Sequence, residues 1–246
     1  NKKHDVILRL EKALLGESGA RRVIANSAMV RDEIVRYYGL PSCAIDVIPN
    51  GVRVSEFGPA PLKRARARAQ LKIGSDEIAA LFVGSGWERK GLRFAIAASE
   101  KTRVRLLVAG RGNQRKYRSG NVTFLGEMED VRLPLAAADI FILPTIYDPF
   151  SNASLEAMAA GLPVITTRAN GCSEIIEPKV HGTIVERADD IDRLSQALHF
   201  WSEEPRRLAA RAALLERATQ FDLSRNVAHT LEVLLHSRDS AESTSG

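Results

Sequence analysis

Residues 140–167 read IFILPTIYDPFSNASLEAMAAGLPVITT. The apolar run Ile140 to Leu143 stops at Pro144, which cannot donate to a sheet ladder. After a polar loop, residues 153–160 are dominated by Ala, Leu and Met, good helix formers, and Gly161 follows them as a helix-ending glycine does. Pro163 then opens a second β-branched run that reaches Thr167. Strand, helix and strand in one short stretch make a crossover unit, and a helical crossover joins parallel strands.

The same alternation continues on both sides. Short runs rich in Val, Ile, Leu and Phe occupy 78–84, 104–110, 122–126, 140–144, 163–167 and 183–185, and most end at Gly, Pro or Thr. Their apolarity is continuous rather than alternating, as strands covered on both faces require. Helical patterns at 92–99, 131–138, 153–160 and 189–201 lie between them. The expected fold is α/β, a Rossmann-like doubly wound parallel sheet.

The first fifty residues read as a separate piece. Ile7, Leu10 and Leu14 recur at helical spacing, 22–25 reads as a strand, and Ser27 is placed to cap a helix running to Tyr38. A short strand at 45–48 stops at Pro49-Asn50-Gly51, the expected hinge. The stretch 61–71 carries Lys63, Arg64, Arg66 and Arg68, expected to form a solvated helix face, with an anion or membrane contact as the competing reading. Helices are expected at 205–221 and 224–236, with Trp201, Leu208 and Leu215 packing inward and the polar end 237–246 disordered.

Composition narrows the function classes. The 246 residues are 45% hydrophobic and 26% charged, ordinary globular values, and no apolar run approaches the roughly 18 residues of a membrane helix. The opening NKKHDVILRL has neither Met nor a signal-peptide core, so a piece of a longer chain is expected. Cys43 and Cys172 lie too far apart in sequence for metal-ligand spacing and fit a reduced cytoplasmic protein. The net charge of +5 favours anionic partners: nucleotides, nucleic acid or a lipid surface.

Two glycine turns follow expected strands, Gly84-Ser85-Gly86-Trp87-Glu88-Arg89-Lys90-Gly91 and Gly110-Arg111-Gly112. Arg89 and Arg115 stand where a dinucleotide fingerprint has its third glycine, which argues against a nicotinamide oxidoreductase, and no Walker A sequence is present. What remains is a turn expected to lead to a helix N-terminus, whose amides with Arg89 and Lys90 suit a diphosphate. Asp148 falls on the loop after a strand, where open α/β sheets bind ligands, and Glu156 lies about two turns into the next helix. A carboxylate there can accept two hydroxyl hydrogen bonds, as a ribose diol offers. Amides of Ser151, Asn152 and Ala153 would point from the helix N-terminus toward negative charge. Asp190-Ile191-Asp192 matches a short metal-binding pattern but opens an expected helix, so its acids and His181 are assigned structural roles.

The stretch DPFSNASLEAMAAGLPVITT, residues 148–167, resembles the acidic-x7-Glu signature of retaining family 4 glycosyltransferases. Pro49-Asn50-Gly51-Val52 resembles that family's interdomain junction, residues 83–91 its phosphate loop, and Asn170-Gly171-Cys172-Ser173-Glu174 with Gly182 its later Gly/Glu segment. The four motifs occur in the family's order over nearly the whole chain, and GSGWERKG is particularly similar to the lipopolysaccharide core glucosyltransferase I group.

The resemblance implies a GT-B arrangement: residues 1–49 end an acceptor domain, 50–221 form the donor domain, and 222–246 hold a helix crossing back and a tail. It implies catalytic roles for Asp148 on the transferred sugar and for Arg89 and Lys90 on the diphosphate, with no metal and no cofactor beyond a UDP- or GDP-sugar donor. Glu156 would hold the ribose, Phe150, Ser151, Asn152 and Ala153 would offer main-chain contacts, and Met128 would border the base. Gly86 belongs to the phosphate loop. Asp148 is one methylene shorter than the Glu commoner in the family. The acceptor would be a glycan or lipid-linked molecule in lipopolysaccharide or cell-surface polysaccharide synthesis. It would be bound through sequence before Asn1, so this stretch alone is expected to bind donor without transferring sugar. A cytoplasmic location with peripheral contact at an anionic inner membrane face is implied. The competing readings are a nucleotide-sugar epimerase of the same architecture, a nucleotide-sugar sensor and a nucleic-acid-binding module. The last has charge in its favour but only 6% aromatic residues for stacking.

Overall fold

The computed structural model describes residues 2–16, 19–117 and 119–242. Six parallel strands form the main sheet: β3 (Ala79–Val83), β4 (Arg105–Ala109), β5 (Val122–Gly126), β6 (Ile140–Leu143), β7 (Val164–Thr167) and β8 (Gly182–Val185). Their order is β5-β4-β3-β6-β7-β8. Every expected strand of this sheet is present: β5 matches its expected bounds, β8 gains Gly182, and the other four lose a residue at one or both ends, mostly a flanking Gly or Pro. The continuous apolarity has the expected cause: Leu81, Phe82, Leu106, Leu107 and all of β6 are fully buried.

The chain winds from β3 outward to β5, returns through α6 (Arg132–Ala137), and winds the other way from β6 to β8. Right-handed crossovers in opposite directions put helices on opposite faces. Accordingly α5 (Leu92–Glu100) packs with α8 (Ile191–Ser202), whereas α3 (Pro61–Gln70) packs with α6, and α7 (Asn152–Ala159) with α9 (Glu204–Thr219). The strand order reverses between β3 and β6, so the loops leaving these neighbours converge at the sheet's C-terminal edge. Ligands of open α/β sheets bind at such a point.

A smaller unit precedes this one. Strands β1 (Val23–Ala25) and β2 (Ile45–Val47) pair in parallel beside α1 (Lys2–Leu15) and α2 (Ala28–Tyr38). Ala25, Ile34, Leu40 and Ile45 form its small core. Ser27 caps α2 as its position suggested, accepting from the Val30 amide at 3.3 Å. The chain then passes through Pro49-Asn50-Gly51, which the start of α10 (Leu223–Glu242) clamps. Val52 N–H donates to Phe221 O at 3.0 Å, Leu223 N–H to Val52 O at 2.9 Å, and Asn226 Nδ2 to Pro49 O at 2.8 Å. A Cβ on Gly51 would lie 2.7 Å from the Leu223 Cα, so this crossing excludes any side chain.

Several expectations are corrected. The buried face of α9 is Ala210, Leu214 and Ala218, spaced four apart, so Leu208 is turned away at 53% exposed and Leu215 is only half-buried. Trp201 is buried as expected. The basic run 61–71 is not a uniformly solvated face. Arg64 donates to the carbonyls of Ala136, Ala137 and Ala138 at the end of α6 and pairs with Asp139 at 2.6 Å, while Arg68 is buried against the same carboxylate at 3.1 Å. The stretch 237–242, expected to be disordered, continues α10 to Glu242, and residues 243–246 lie outside the described residues.

Candidate functional site

The loop after β3 contains α4 (Trp87–Lys90), a single turn between two left-handed glycines, Gly86 at φ 73° and Gly91 at φ 78°. Arg89 and Lys90 end this turn, and Gly91 after them is the N-cap of α5, so the glycine turn leads to a helix N-terminus with both cations adjacent, as expected. Trp87 anchors the loop: it is buried, its Nε1 donates to Gly84 O at 2.9 Å, and its ring meets Tyr117 and Phe124. A Cβ on Gly112 would sit 2.3 Å from that indole, so the second glycine turn serves the packing of the first.

The loop after β6 runs alongside. Lys90 Nζ makes a direct ion pair with the Asp148 carboxylate, and the two side chains are 15% and 7% exposed. Arg89 is exposed and donates to the Tyr147 carbonyl. The structure thus brings Arg89, Lys90 and Asp148 onto one pair of loops.

Asn170, whose role the sequence did not signal, holds this loop in place. It is fully buried; its Oδ1 accepts from the amides of Ser151 and Cys172, both at 3.1 Å, and its Nδ2 donates to Thr166 Oγ1 at 3.0 Å. The main chains of Asp148 and Asn170 also bridge: Gly171 N–H donates to Asp148 O at 2.9 Å. Ser151 is the N-cap of α7, its Oγ accepting from Ser154 N at 3.3 Å. Of the three amides expected at this helix end, Ser151's is already taken by Asn170. Those of Asn152 and Ala153 have no acceptor among the described residues. Phe150 is buried beneath them.

Glu156 lies half-buried on α7, and burial pushes its carboxyl above the usual range. Met128, after β5, is half-buried against the core. Gly86 is exposed at the mouth of the first loop. The side chains of Glu156 and Met128 make no hydrogen bond or ion pair with the rest of the set among the described residues.

The small unit reaches this site. Ser27 Oγ donates to Pro149 O at 2.8 Å, and Tyr147 OH donates to Glu33 at 2.6 Å. Burial and the Glu33 carboxylate push the Tyr147 phenol up to about 12. Glu174 accepts from the amides of Ala28 and Met29 at 2.8 and 2.7 Å, capping α2 from the other unit. Asn50 Nδ2 donates to Asn152 Oδ1 at 2.7 Å. Sequence reading placed Glu174 in a motif without a role, because its partners lie 146 and 145 positions away.

The residues assigned structural roles have them. Asp190 caps α8, accepting from Arg193 N at 3.0 Å, and Asp192 pairs with Lys101 at 2.6 Å. His181 is buried, its Nδ1 accepts from Glu177 N at 3.1 Å, and burial, then Arg217, holds its pKa below the usual imidazole range. No described helix is long and apolar enough to cross a membrane.

Residues 77–203, more than half of the chain, match the family described as Glycosyl transferases group 1. The chain belongs to that family. Residues 1–56 match a second description, Glycosyltransferase Family 4. A probable transglycosylase of Burkholderia thailandensis is 32% identical over 223 residues, covering 87% of this chain and 60% of that protein. The chain spans about half the length of the curated relatives it matches. Among solved structures, Anabaena HepE in complex with UDP and glucose superposes with a TM-score of 0.83 at 23% identity, covering 95% of this chain and 68% of that one. WaaG, a glycosyltransferase involved in lipopolysaccharide biosynthesis, gives 0.80 at 24% identity, with 91% and 65% covered. These likenesses establish the fold, a Rossmann-like domain of GT-B glycosyltransferases.

Proposed function

We propose that the protein moves a sugar, with retention of configuration and without a metal ion, from a UDP- or GDP-sugar to a glycan or lipid-linked acceptor. One observation carries this reading: Lys90 and Asp148 meet at the switch point of the sheet, and the loop of Asp148 leads into α7, whose first two amides have no acceptor among the described residues. A diphosphate placed there would receive the amides of Asn152 and Ala153, the charge of Lys90, and Arg89 swung in from the Tyr147 carbonyl. Leaving-group charge would then be stabilised by these two cations and the helix amides. Asp148 would hold hydroxyls of the transferred sugar, Glu156 the ribose, and Met128 would border the base. The acceptor hydroxyl would attack from the face the diphosphate leaves, giving its proton to a donor phosphate oxygen.

The UDP, glucose and UDP-glucose held by the HepE complexes support a nucleotide-sugar donor. Residues 1–49 would close the acceptor domain, 50–221 carry the donor, and 222–246 cross back. A role in lipopolysaccharide or surface-polysaccharide synthesis, at the cytoplasmic face of the membrane, accords with the likeness to WaaG. The test incubates the full-length protein with a panel of UDP- and GDP-sugars in EDTA and follows the first sugar product by proton NMR. Release or transfer with the donor's own anomeric configuration is expected. Inverted product would contradict retention, loss of turnover in EDTA would contradict metal independence, and an epimerised donor would favour the epimerase.

A further inference from the structure

A cavity of about 560 Å³ opens on the face formed by α3, α6 and α9. Helices α6 and α7 start at the C-terminal edge of the sheet and end at the opposite edge, where Ala138, Ala160 and Leu162 border this cavity. It runs along α6 from Arg132 and Leu133 to Ala138, and its lining shares no residue with Lys90, Asp148 or the N-terminus of α7. Its walls include Phe57, Leu133, Leu135, Leu162 and Leu208, the last being the leucine that the packing of α9 leaves exposed.

The polar lining is unbalanced. Lys63, Arg64, Arg66, Arg132 and Arg211 face only Glu56 and Glu204. Arg64 is neutralised by Asp139 and Arg132 by Asp130. Lys63, Arg66 and Arg211 have no carboxylate partner among the described residues. Arg211 stands out further: its Nε is buried and has no acceptor. Its stem is fixed over the turn that ends α7, with Cγ 3.1 Å from where a Gly161 Cβ would be. Native folds rarely leave a buried N–H unpaired, and a bound ion is one of the partners that can satisfy it.

We propose that this cavity binds a single-chain amphiphile with a phosphate head. The hydrocarbon would lie along the leucine and phenylalanine walls, and the phosphate would bind Arg211, with Lys63 and Arg66 as further cations. Concavity and size match a ligand site rather than a flat lipid-facing patch. Glu56 pairs with Arg53 at 3.5 Å, so it offsets little of the positive charge that faces the cavity. This gives the basic run on α3 two jobs: Arg64 and Arg68 hold the fold, whereas Lys63 and Arg66 serve the ligand.

The test is a calorimetric titration of the full-length protein with dodecyl phosphate below its micelle concentration. Inorganic phosphate and dodecyl maltoside supply the head alone and a tail with a neutral head. Saturable one-to-one binding of dodecyl phosphate is expected, none of inorganic phosphate, and about tenfold weaker binding of the maltoside. Arg211→Met, which keeps the stem over Gly161, and Leu208→Glu, at an exposed wall position, should each weaken dodecyl phosphate about tenfold. If Arg211→Met does not fold, Lys63→Gln supplies the charge test. Equal affinity for the maltoside, variants that bind as the wild type does, or adsorption to phosphatidylglycerol vesicles without uptake of the free amphiphile would overturn the proposal.

Discussion

Asp148 and Lys90 look independent in the sequence, 58 positions apart, yet in the fold each is the other's counter-charge. Both side chains are largely removed from water, so deleting one leaves a buried charge uncompensated, at a cost of about 3–5 kcal/mol. Asp148→Asn should therefore lower stability to urea by about that amount. The same change frees Lys90, so affinity for UDP or GDP should hold or rise while turnover falls; weakened diphosphate binding in this variant would contradict the pairing. Glu156 works in the opposite sense. Burial raises its folded-state pKa above the unfolded value, so its favourable contribution is complete below the unfolded pKa and is lost as pH rises through the folded one. At neutral pH the ionised carboxylate opposes folding, and Glu156→Gln should raise the melting temperature while weakening every ribose-containing ligand. Melting curves from pH 4 to 8 check this by the narrowing gap between the two proteins toward acid (roughly the range about the ordinary carboxylate pKa). The placement of Asp148 on the loop after β6 and of Glu156 within α7 was legible because strand, loop and helix order is local. Asn170 was not, since its four-way hydrogen bonding exists only once β6 and β7 lie side by side.

At the scale of elements, the sheet strands were legible because continuous apolar runs between glycine and proline have few other uses. Four strands lost a residue at one or both ends, as at Ile78 and Val104, where an apolar side chain still packs but the ladder has ended, and β8 gained Gly182. Helix faces were harder. The run on α3 reads as a solvated charge cluster, but Asp139, buried at the start of β6, draws in Arg64 and Arg68 and lies 3.7 Å from Arg207. It also accepts from the Ala79 amide at 2.9 Å, fixing β3 against β6. Asp139→Ala would strand cations in a partly desolvated pocket and should cost about 3–5 kcal/mol in a urea titration. A loss below about 1 kcal/mol would place the pair in the range of solvated surface bridges. The two cysteines belong to different elements and should differ as their surroundings do. Cys43 is exposed, while Cys172 is buried and burial pushes its thiol well up. A maleimide should label Cys43 in the folded protein and reach Cys172 only after denaturation.

The whole molecule is held together by contacts that no local reading could supply. Glu174 caps α2, Tyr147 reaches Glu33, Ser27 reaches Pro149, and α10 grips the chain at Val52. These tie the small unit to the loop that carries Asp148, the partner of Lys90. On the proposed function, the loops carrying Lys90 and Asp148 receive a nucleoside diphosphate. Calorimetric titration of the full-length protein with UDP and with GDP, in EDTA, tests it most directly when Lys90→Ala and Glu156→Gln are run in parallel with uridine and guanosine. One diphosphate should bind. Lys90→Ala should weaken it by about 1.5–3 kcal/mol and leave the nucleoside untouched, whereas Glu156→Gln should weaken both. Failure of both diphosphates to bind, or unchanged diphosphate affinity in Lys90→Ala, would contradict the account.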